Sequence, residues 1–586
     1  MERELKGVPI EKKLVTSTPE GIDVQPLYRR EDAAAITPAA VPGETLFLRG
    51  AARRGERPRR WEAWTGSAEY DFSPLPALAL ALTRPSPDGL TAGRTAADPL
   101  GWLVRHGSLP MPLVSCFDDL VDGMTEAARA GTSLPIAGIG GHLWYECGGT
   151  AVHELAFALA TGAEYWRWLS NRDVPPDQIA ARTQLSLALG VDFFMTIAKL
   201  RAARALWAKM AAAFGAGATA RHVFIATRTA RRDETLYDPH VNLLRLTTEA
   251  LAAVVGGADA VDVRSFDAVA GAPTELGARM SRNLHDILAE EFCLGHQIDP
   301  AGGSWYVEVL TERLARQAWT LFQEVEKCGG MAKAVLAGYP QSLLARSAGD
   351  EQVRVDTRRR LILGTTVQPN RREEPRGAPQ PAAAGRAQRK SAPKPIKSFA
   401  ALRAAAAKRT TLPTLRNAWT QKRDPGPTTS ALNPFRVAEG FEAVRRAGDD
   451  FLTRTGRRAR VFLAKMGPPG QHHARASFAS GFFAIAGFEA DATQSFAAAE
   501  EAADAAVASG AVIAVLCSTD DSYPRLAPVF ARRIKAARPT LAVVLAGHPG
   551  EHEGEFRAAG FDEFIHVRAN ARITLAQLQR LAGVSP

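Results

Sequence analysis

Cysteine is scarce and scattered: Cys116, Cys147, Cys293, Cys328 and Cys517 are the five in a chain of 586 residues, and no two form a CxxC pair. That argues against a disulfide framework and against a zinc site built from cysteines, and it suits buried thiols in a reducing cytoplasm. No apolar run reaches the ~18 residues of a membrane span. The first residues, Met1-Glu-Arg-Glu-Leu-Lys-Gly7, lack the hydrophobic core of a secretory signal, and their acids argue against a transit peptide. A cytoplasmic location with no membrane partner is the expectation. Strong charge is also missing from most of the chain. The formal net charge is +10, but residues 371–424 hold fourteen Lys/Arg against three Asp/Glu. The rest is close to neutral, so the basicity belongs to one segment and not to a folded groove. Nucleic acid is not an expected partner.

What is present is ample apolar material, 46% hydrophobic against 23% charged, enough for sizeable cores in roughly two to five domains. Residues 1–40 show little periodicity and read as a loosely packed N-terminal arm. Apolar runs at 75–82, 109–116, 134–139, 222–227 and 260–264 are strand candidates. Between them lie helical patterns. One carries Val152, Leu155, Ala156, Leu159 and Trp166 on one face; another, 191–207, repeats Phe193, Leu200 and Trp207 with Ile197 between them. This alternation predicts a (β/α)8 TIM barrel over 41–366. Residues 367–434 form a basic, Pro/Ala-rich linker, although Leu402, Leu412, Leu415 and Trp419 leave open that it docks on a surface. From 435 to 586, strands at 459–465, 511–518, 540–547 and 563–567 alternate with helical stretches, including 495–509 with Ser495 as N-cap. That pattern predicts a flavodoxin-like doubly wound domain.

The wording is more specific than the pattern. Phe193-Phe-Met-x-Ile-Ala-Lys-Leu-Arg-Ala-Ala-Arg-x-Leu-Trp207 and Glu154-Leu-Ala-Phe-Ala-Leu-Ala-Thr-Gly-Ala-Glu-Tyr165 closely resemble the substrate barrel of the methylmalonyl-CoA mutase family. Leu48-Arg-Gly50, Arg60-Trp61, Asp299-Pro-Ala-Gly-Gly-Ser-Trp-Tyr-Val-Glu308 and Gly329-Gly-Met331 continue the likeness. The resemblance implies isomerisation of acyl-CoA thioesters by radical chemistry with adenosylcobalamin. The second domain is then of the cobalamin-binding type.

The positions that carry this chemistry in the family have changed here. Where catalytic members place a Tyr six residues after Arg-Gly stands Glu56, a carboxylate that would repel an acidic acyl-CoA. In Gly141-His-Leu-Trp-Tyr-Glu-Cys-Gly-Gly149, Leu143 takes the place of the catalytic His, and His142 falls one position early. Read as an extended loop, the segment aims His142 at another surface. The plainer reading of His142 is a solvated or core-satisfied histidine. A polar motif for substrate and adenosyl group becomes Ala226-Thr-Arg-Thr-Ala-Arg-Arg-Asp233, whose arginines suit CoA phosphates or simply a solvated loop. The cobalt-ligating pattern Asp-x-His-x-x-Gly becomes Pro469, Gln471 and Ala474, and the positions lining the nucleotide tail become Cys517, Thr519 and Ala546-Gly547. His472 and His473 lie next door without an upstream Asp to orient them.

No catalytic, cofactor-binding or metal-ligating residue is therefore assigned to this chain. The resemblance implies a small, non-catalytic subunit supporting conversion of (R)-methylmalonyl-CoA to succinyl-CoA by a homologous catalytic large subunit. In that heterodimer adenosylcobalamin is bound by the partner. Two alternatives stay open: an active acyl-CoA mutase with a remodelled site, and a CoA- or cobalamin-binding module without isomerase activity. Whether the barrel still admits acyl-CoA is open as well.

Overall fold

The computed structural model describes residues 8–34, 36, 41–44, 46–50, 60–64, 70–83, 96–373, 394–408, 410–421 and 423–585. Glu56 and residues 374–393 of the basic segment lie outside them. Among the described residues no helix is long and apolar enough to cross a membrane.

Two parallel sheets organise this α/β chain. The first carries β1 (Glu62–Trp64), β2 (Ala137–Gly140), β3 (Thr183–Leu189), β4 (Phe224–Thr229) and β5 (Ala260–Asp262) in the order β1-β5-β4-β3-β2. Leu187 pairs with Thr227, which pairs with Val261, so the C-terminal strand ends share one edge. Beyond β2, Ala97 makes parallel bridges to Ala137 and Asp71. Residues of β2 and β3 are all buried, as expected where helices cover both faces of a parallel sheet.

Two expected strands prove to be something else. Residues 75–82 belong to α1 (Leu75–Thr83). Ala and Leu favour helix, no β-branched residue precedes Thr83, and Pro76 sits in the first turn, where its missing N–H costs nothing. Residues 109–112 are a loop and 113–116 the first turn of α2 (Leu113–Arg129), because Pro110 and Pro112 remove two donors that a strand would need. After β2 come α3 (Gly141–Glu146), α4 (Ala151–Ser170) and α5 (Phe193–Ala213).

The family-like words of α4 and α5 are a buried ionic frame. Lys199 pairs with Glu154 at 2.5 Å and donates to the Ala188 carbonyl, with both side chains almost wholly buried. Arg201 meets Asp299 at 3.1 Å and Glu308 at 2.9 Å. Arg204 donates to the carbonyls of Phe47, Gly256 and Gly257, holding the Leu48-Arg-Gly loop against the approach to β5. Removing one member of such a pair strands a buried charge at a cost of ~3–5 kcal/mol. This cost explains why the charged letters of the resemblance persist alongside the apolar ones.

The arm packs more firmly than expected. Ile22 is 2% exposed within the main core, Glu20 accepts from the Ala151 N–H at the start of α4, and Tyr28 lies 5.0 Å from the ring of Tyr306. The second half of the basic segment docks as well. Helices α6 (Phe399–Ala407) and α7 (Leu412–Thr420) set Leu402, Ala406, Leu415 and Trp419 against Leu75 and Ala79 of α1. Trp419 Nε1 donates to Asp119 at 2.7 Å, and Arg416 pairs with Asp71 at 2.6 Å.

The second sheet holds β6 (Arg460–Met466), β7 (Glu489–Asp491), β8 (Ser495–Phe496), β9 (Ile513–Cys517), β10 (Ala542–Leu545) and β11 (Glu563–Phe564). Its order is β8-β6-β9-β10-β11, with β7 also on β6, and every pairing is parallel. Alternate residues face opposite cores, Val461, Leu463, Ile513 and Val515 on one side and Phe462, Ala464, Ala514 and Leu516 on the other. Ser495 lies in β8 and is not an N-cap; the helix that follows is Ala499–Ala508. The two halves are joined by apolar contacts of Val355 and Ile362 with the second core and by polar ones. Arg436 and Glu442 form a bidentate pair, Glu442 accepts from the Leu236 N–H at 2.7 Å, and Arg572 pairs with Asp356 at 2.7 Å. All five cysteines are free; Cys116, Cys147 and Cys517 are buried, whereas Cys293 and Cys328 are exposed.

Candidate functional site

At the C-terminal edge of the first sheet the backbone presses against its neighbours. A Cβ on Gly138 would come 2.9 Å from the Tyr70 ring, and one on Gly141 would come 2.8 Å from Leu187. Glycine is required at both positions for that approach. Asp98 pins the turn, accepting from the Gly140 and Gly101 N–H groups at 2.8 Å each and from the Tyr165 hydroxyl. Above these residues lies a cavity of about 160 Å³, bordered by Tyr70, Arg105, His142, Leu143, Arg228, Arg231 and Arg264 among others.

His142 and Leu143 sit on α3, a helix and not an extended loop. At 3.6 residues per turn a one-residue slip rotates a side chain by about 100°. Both nevertheless border the cavity. The half-buried His142 has a backbone hydrogen bond at Ser186, whereas its Nδ1 is buried with no hydrogen-bond partner among the described residues. Burial and the Arg228 charge push its pKa well below the ordinary imidazole value, so the ring is neutral at pH 7.

The three arginines of the altered motif part company. Arg232 is structural: buried beneath the Tyr145 ring at 4.9 Å, it donates to the Tyr145 and Gly149 carbonyls. Arg228 and Arg231 border the cavity. Tyr145, its hydroxyl 3.2 Å from Asp233, faces a second cavity of about 610 Å³. Glu20, His153, Lys199, Arg346 and Arg360 also border it.

The second sheet's edge holds the positions of the cobalt-ligating pattern. Helix α8 (Pro469–Ile485) starts two residues after Gly467, and the Gln471 side-chain carbonyl folds back over Gly467. His472 is 4% exposed, its Nε2 is 3.3 Å from Ser495 Oγ, and its Nδ1 has no partner among the described residues. No carboxylate approaches it in the manner the cobalt-ligating pattern requires. His473 is exposed. Tyr523, 2% exposed, lies across the strand ends: its hydroxyl accepts from the Ser518 N–H at 3.0 Å and donates to the Ala546 carbonyl at 2.7 Å. A Cβ on Gly547 would come 2.8 Å from its ring. The ground between Cys517, Thr519 and Ala546-Gly547 is thus held by a side chain of this chain, and the donor set does not fit a base-off cobalamin. Among the described residues no three His, Cys, Asp or Glu side chains gather as a metal site.

Tyr70, Asp98, Arg105, Arg264 and Tyr523 escape a reading of the sequence. Only Asp98-Pro99 carried a signal, an N-cap before proline at the start of the helix Pro99–His106.

Comparison with known proteins agrees with this frame. A model of the methylmalonyl-CoA mutase family matches residues 76–440. A methylmalonyl-CoA mutase small subunit from Streptomyces virginiae is 32% identical, over 100% of this chain and 94% of that protein. One from Porphyromonas gingivalis is 30% identical, over 99% and 96%. The Escherichia coli methylmalonyl-CoA mutase is 30% identical, over 70% of this chain and 62% of its own length. With the frame of α4 and α5 and these matches together, the chain belongs to the methylmalonyl-CoA mutase family.

Proposed function

We propose that this chain is the small, non-catalytic subunit of a two-subunit methylmalonyl-CoA mutase. It supports the conversion of (R)-methylmalonyl-CoA to succinyl-CoA by a homologous large subunit that binds adenosylcobalamin. The observation that carries the reading is the second sheet's edge, where Gln471 and Tyr523 stand in place of a ligand and a tail pocket. Leu143 in the first lobe, where the family's catalytic His belongs, points the same way. On this reading 41–366 is a (β/α)8 barrel, and the parallel bridges at Ala97 and Asp71 support a sheet that curls on past β2. Residues 1–40 are an arm, 367–434 a linker, and 435–586 a degenerate flavodoxin-like domain, supported by helices on both faces of its sheet. A cytoplasmic location accords with the free cysteines. A retained barrel without chemistry acts as a partner surface, stabilising the active subunit by binding its folded form.

The test is co-purification with the large subunit, followed by a mutase assay of each chain and of the pair. The reading expects a stable 1:1 complex, with turnover dependent on the large subunit and none from this chain alone. Failure to associate, or turnover by the isolated chain, contradicts it.

A further inference from the structure

The larger cavity, of about 610 Å³, lies apart from the one at the sheet edge, with α3 between them: Leu143 and Glu146 border the first and Tyr145 the second. Its walls come from residues 17–20 of the arm, the starts of α4 and α5, and the helix Tyr339–Asp356. Its size falls within the roughly 300–1,000 Å³ of pockets that take a drug-sized molecule.

Most of its charged groups are engaged. Lys199 pairs with Glu154, and Arg360 with Asp233 and Glu351. Asp192 caps α5, accepting from the Met195 N–H at 3.0 Å, and Glu20 accepts from the Ala151 N–H at 3.3 Å. Arg232 is different. It is 5% exposed, and its guanidinium meets the Tyr145 and Gly149 carbonyls through Nη1 alone. Its Nε is buried with no hydrogen-bond partner, and the guanidinium has no ion pair, among the described residues. His153 is near enough to feel that charge: burial, and then Arg232, hold its pKa down at about 4, so the ring is neutral at pH 7. Its Nδ1 accepts from the Thr150 N–H at 3.1 Å, which leaves the ring proton on Nε2 as a donor. Gly149, Thr150 and Ala151, at the N-terminus of the twenty-residue α4, border the same space, and a helix N-terminus favours an anion. A buried donor without an acceptor is costly, and a carboxylate oxygen relieves it.

The rest of the wall sets the ligand's shape and charge. Val191, Met195 and Leu343 offer apolar ground. The exposed Asp192 and Asp350 at the rim repel a second negative charge, which disfavours a phosphate or a dicarboxylate.

We propose that this cavity is a binding site for a monocarboxylate with an apolar chain, its oxygens on Arg232 and His153 and its chain against Met195 and Leu343. Every group named belongs to this chain, so the site stands or falls separately from the subunit reading.

The experiment is a calorimetric titration of the full chain with octanoate, octanol and octyltrimethylammonium, each below its aggregation limit. Octanoate should saturate a single site, and the other two should bind about tenfold more weakly or less, the effect of losing a charge-assisted contact. Ser347→Glu, at a half-buried position of the wall, sets a carboxylate in the cavity and should weaken octanoate about tenfold or more. Arg232→Gln should do the same while leaving octanol unchanged; if that variant does not fold, Ser347→Glu decides. Arg525→Gln, exposed in the second lobe, should bind octanoate as the parent does. No saturable binding of octanoate, equal affinity for octanol, or parental affinity in Ser347→Glu or in folded Arg232→Gln overturns the proposal. So does an equal loss in Arg525→Gln, which would mark the effect as general screening.

Discussion

At the edge of the first sheet, Gly138 and Gly141 keep the backbone tight against Tyr70 and Leu187, and a polar cavity stays open above them. At the edge of the second, Tyr523 turns inward and occupies the ground between the strands, while the exposed Gln471 folds over Gly467. The two edges rest on different foundations. Both lobes have apolar cores, but the first adds the buried Lys199–Glu154 and Arg201–Glu308 pairs near its edge, whereas the second sheet is backed by alternating apolar residues on either side. An ionic frame resists drift, because losing one partner strands the other; an apolar edge can fill by a single large side chain. The first edge therefore keeps a cavity, whereas the second is filled by a side chain.

The largest expected effect tests the ionic frame. Lys199→Met leaves the Glu154 carboxylate buried alone and should destabilise the first lobe by ~3–5 kcal/mol. All ten tryptophans precede residue 420, so tryptophan fluorescence during urea unfolding reports that lobe selectively. A loss under ~1 kcal/mol would show that the pair is not an essential strut.

The second lobe should respond more mildly. Tyr523→Phe keeps the ring and leaves the Ser518 N–H and the Ala546 carbonyl unpaired, at ~1–3 kcal/mol for buried groups. Amide exchange should quicken around residues 513–518 and 542–547 while the first lobe is unaffected. Uniform exchange across both lobes would mean the edge is not held by this hydroxyl.

Acid should weaken the first lobe. Burial lowers the His285 pKa to about 4, with Asp286 raising it and Arg60 lowering it, and its Nδ1 accepts from Trp61 Nε1 at 3.1 Å. The unfolded imidazole, near 6.5, takes up a proton first, so stability is present above pH 6.5 and is lost as pH falls toward 4. The loss is on the order of 3 kcal/mol across that window, about 2 of it by pH 5. His285→Gln, which can still accept from Trp61, should flatten the dependence measured by urea midpoints at pH 7 and pH 5. An unchanged slope would assign the acid sensitivity to other groups.

The smallest effect belongs to Gln471→His. The side chain is exposed, so stability should change by no more than ~0.5 kcal/mol. Cobalamin affinity should stay weak, because Pro469 supplies no orienting carboxylate and such a loss alone typically costs ~10–100-fold. Tight binding by this variant would show that Tyr523 does not obstruct the tail.

Much of the frame is legible in the sequence because it is written in local patterns. β2, β4 and β5, and the main strands of the second sheet, fall on apolar runs read directly from the chain. The failures share a cause. Residues 75–82 are apolar on every side, which periodicity alone cannot assign to strand or helix. β3 interrupts its apolar residues with Gln184 and Ser186, so no apolar run marks it. Ser495 looked like a cap, yet its position was decided by pairing with Lys465 on a distant strand. The site was less legible still. Leu143 and Gln471 announced what was missing, but Tyr70 and Tyr523 are brought in from far along the chain, and no local signal marks them. That the basic segment docks through Leu415 and Trp419 likewise depends on α1, more than three hundred residues away.

The most direct test of the account is a visible-spectrum titration of the purified full chain with cobalamin, repeated with the chain bound to its large subunit. The account predicts that the isolated chain gives no histidine-ligated, base-off spectrum and that the signature appears only with the large subunit, at one cobalamin per pair. A saturable histidine-ligated spectrum from the isolated chain would contradict it.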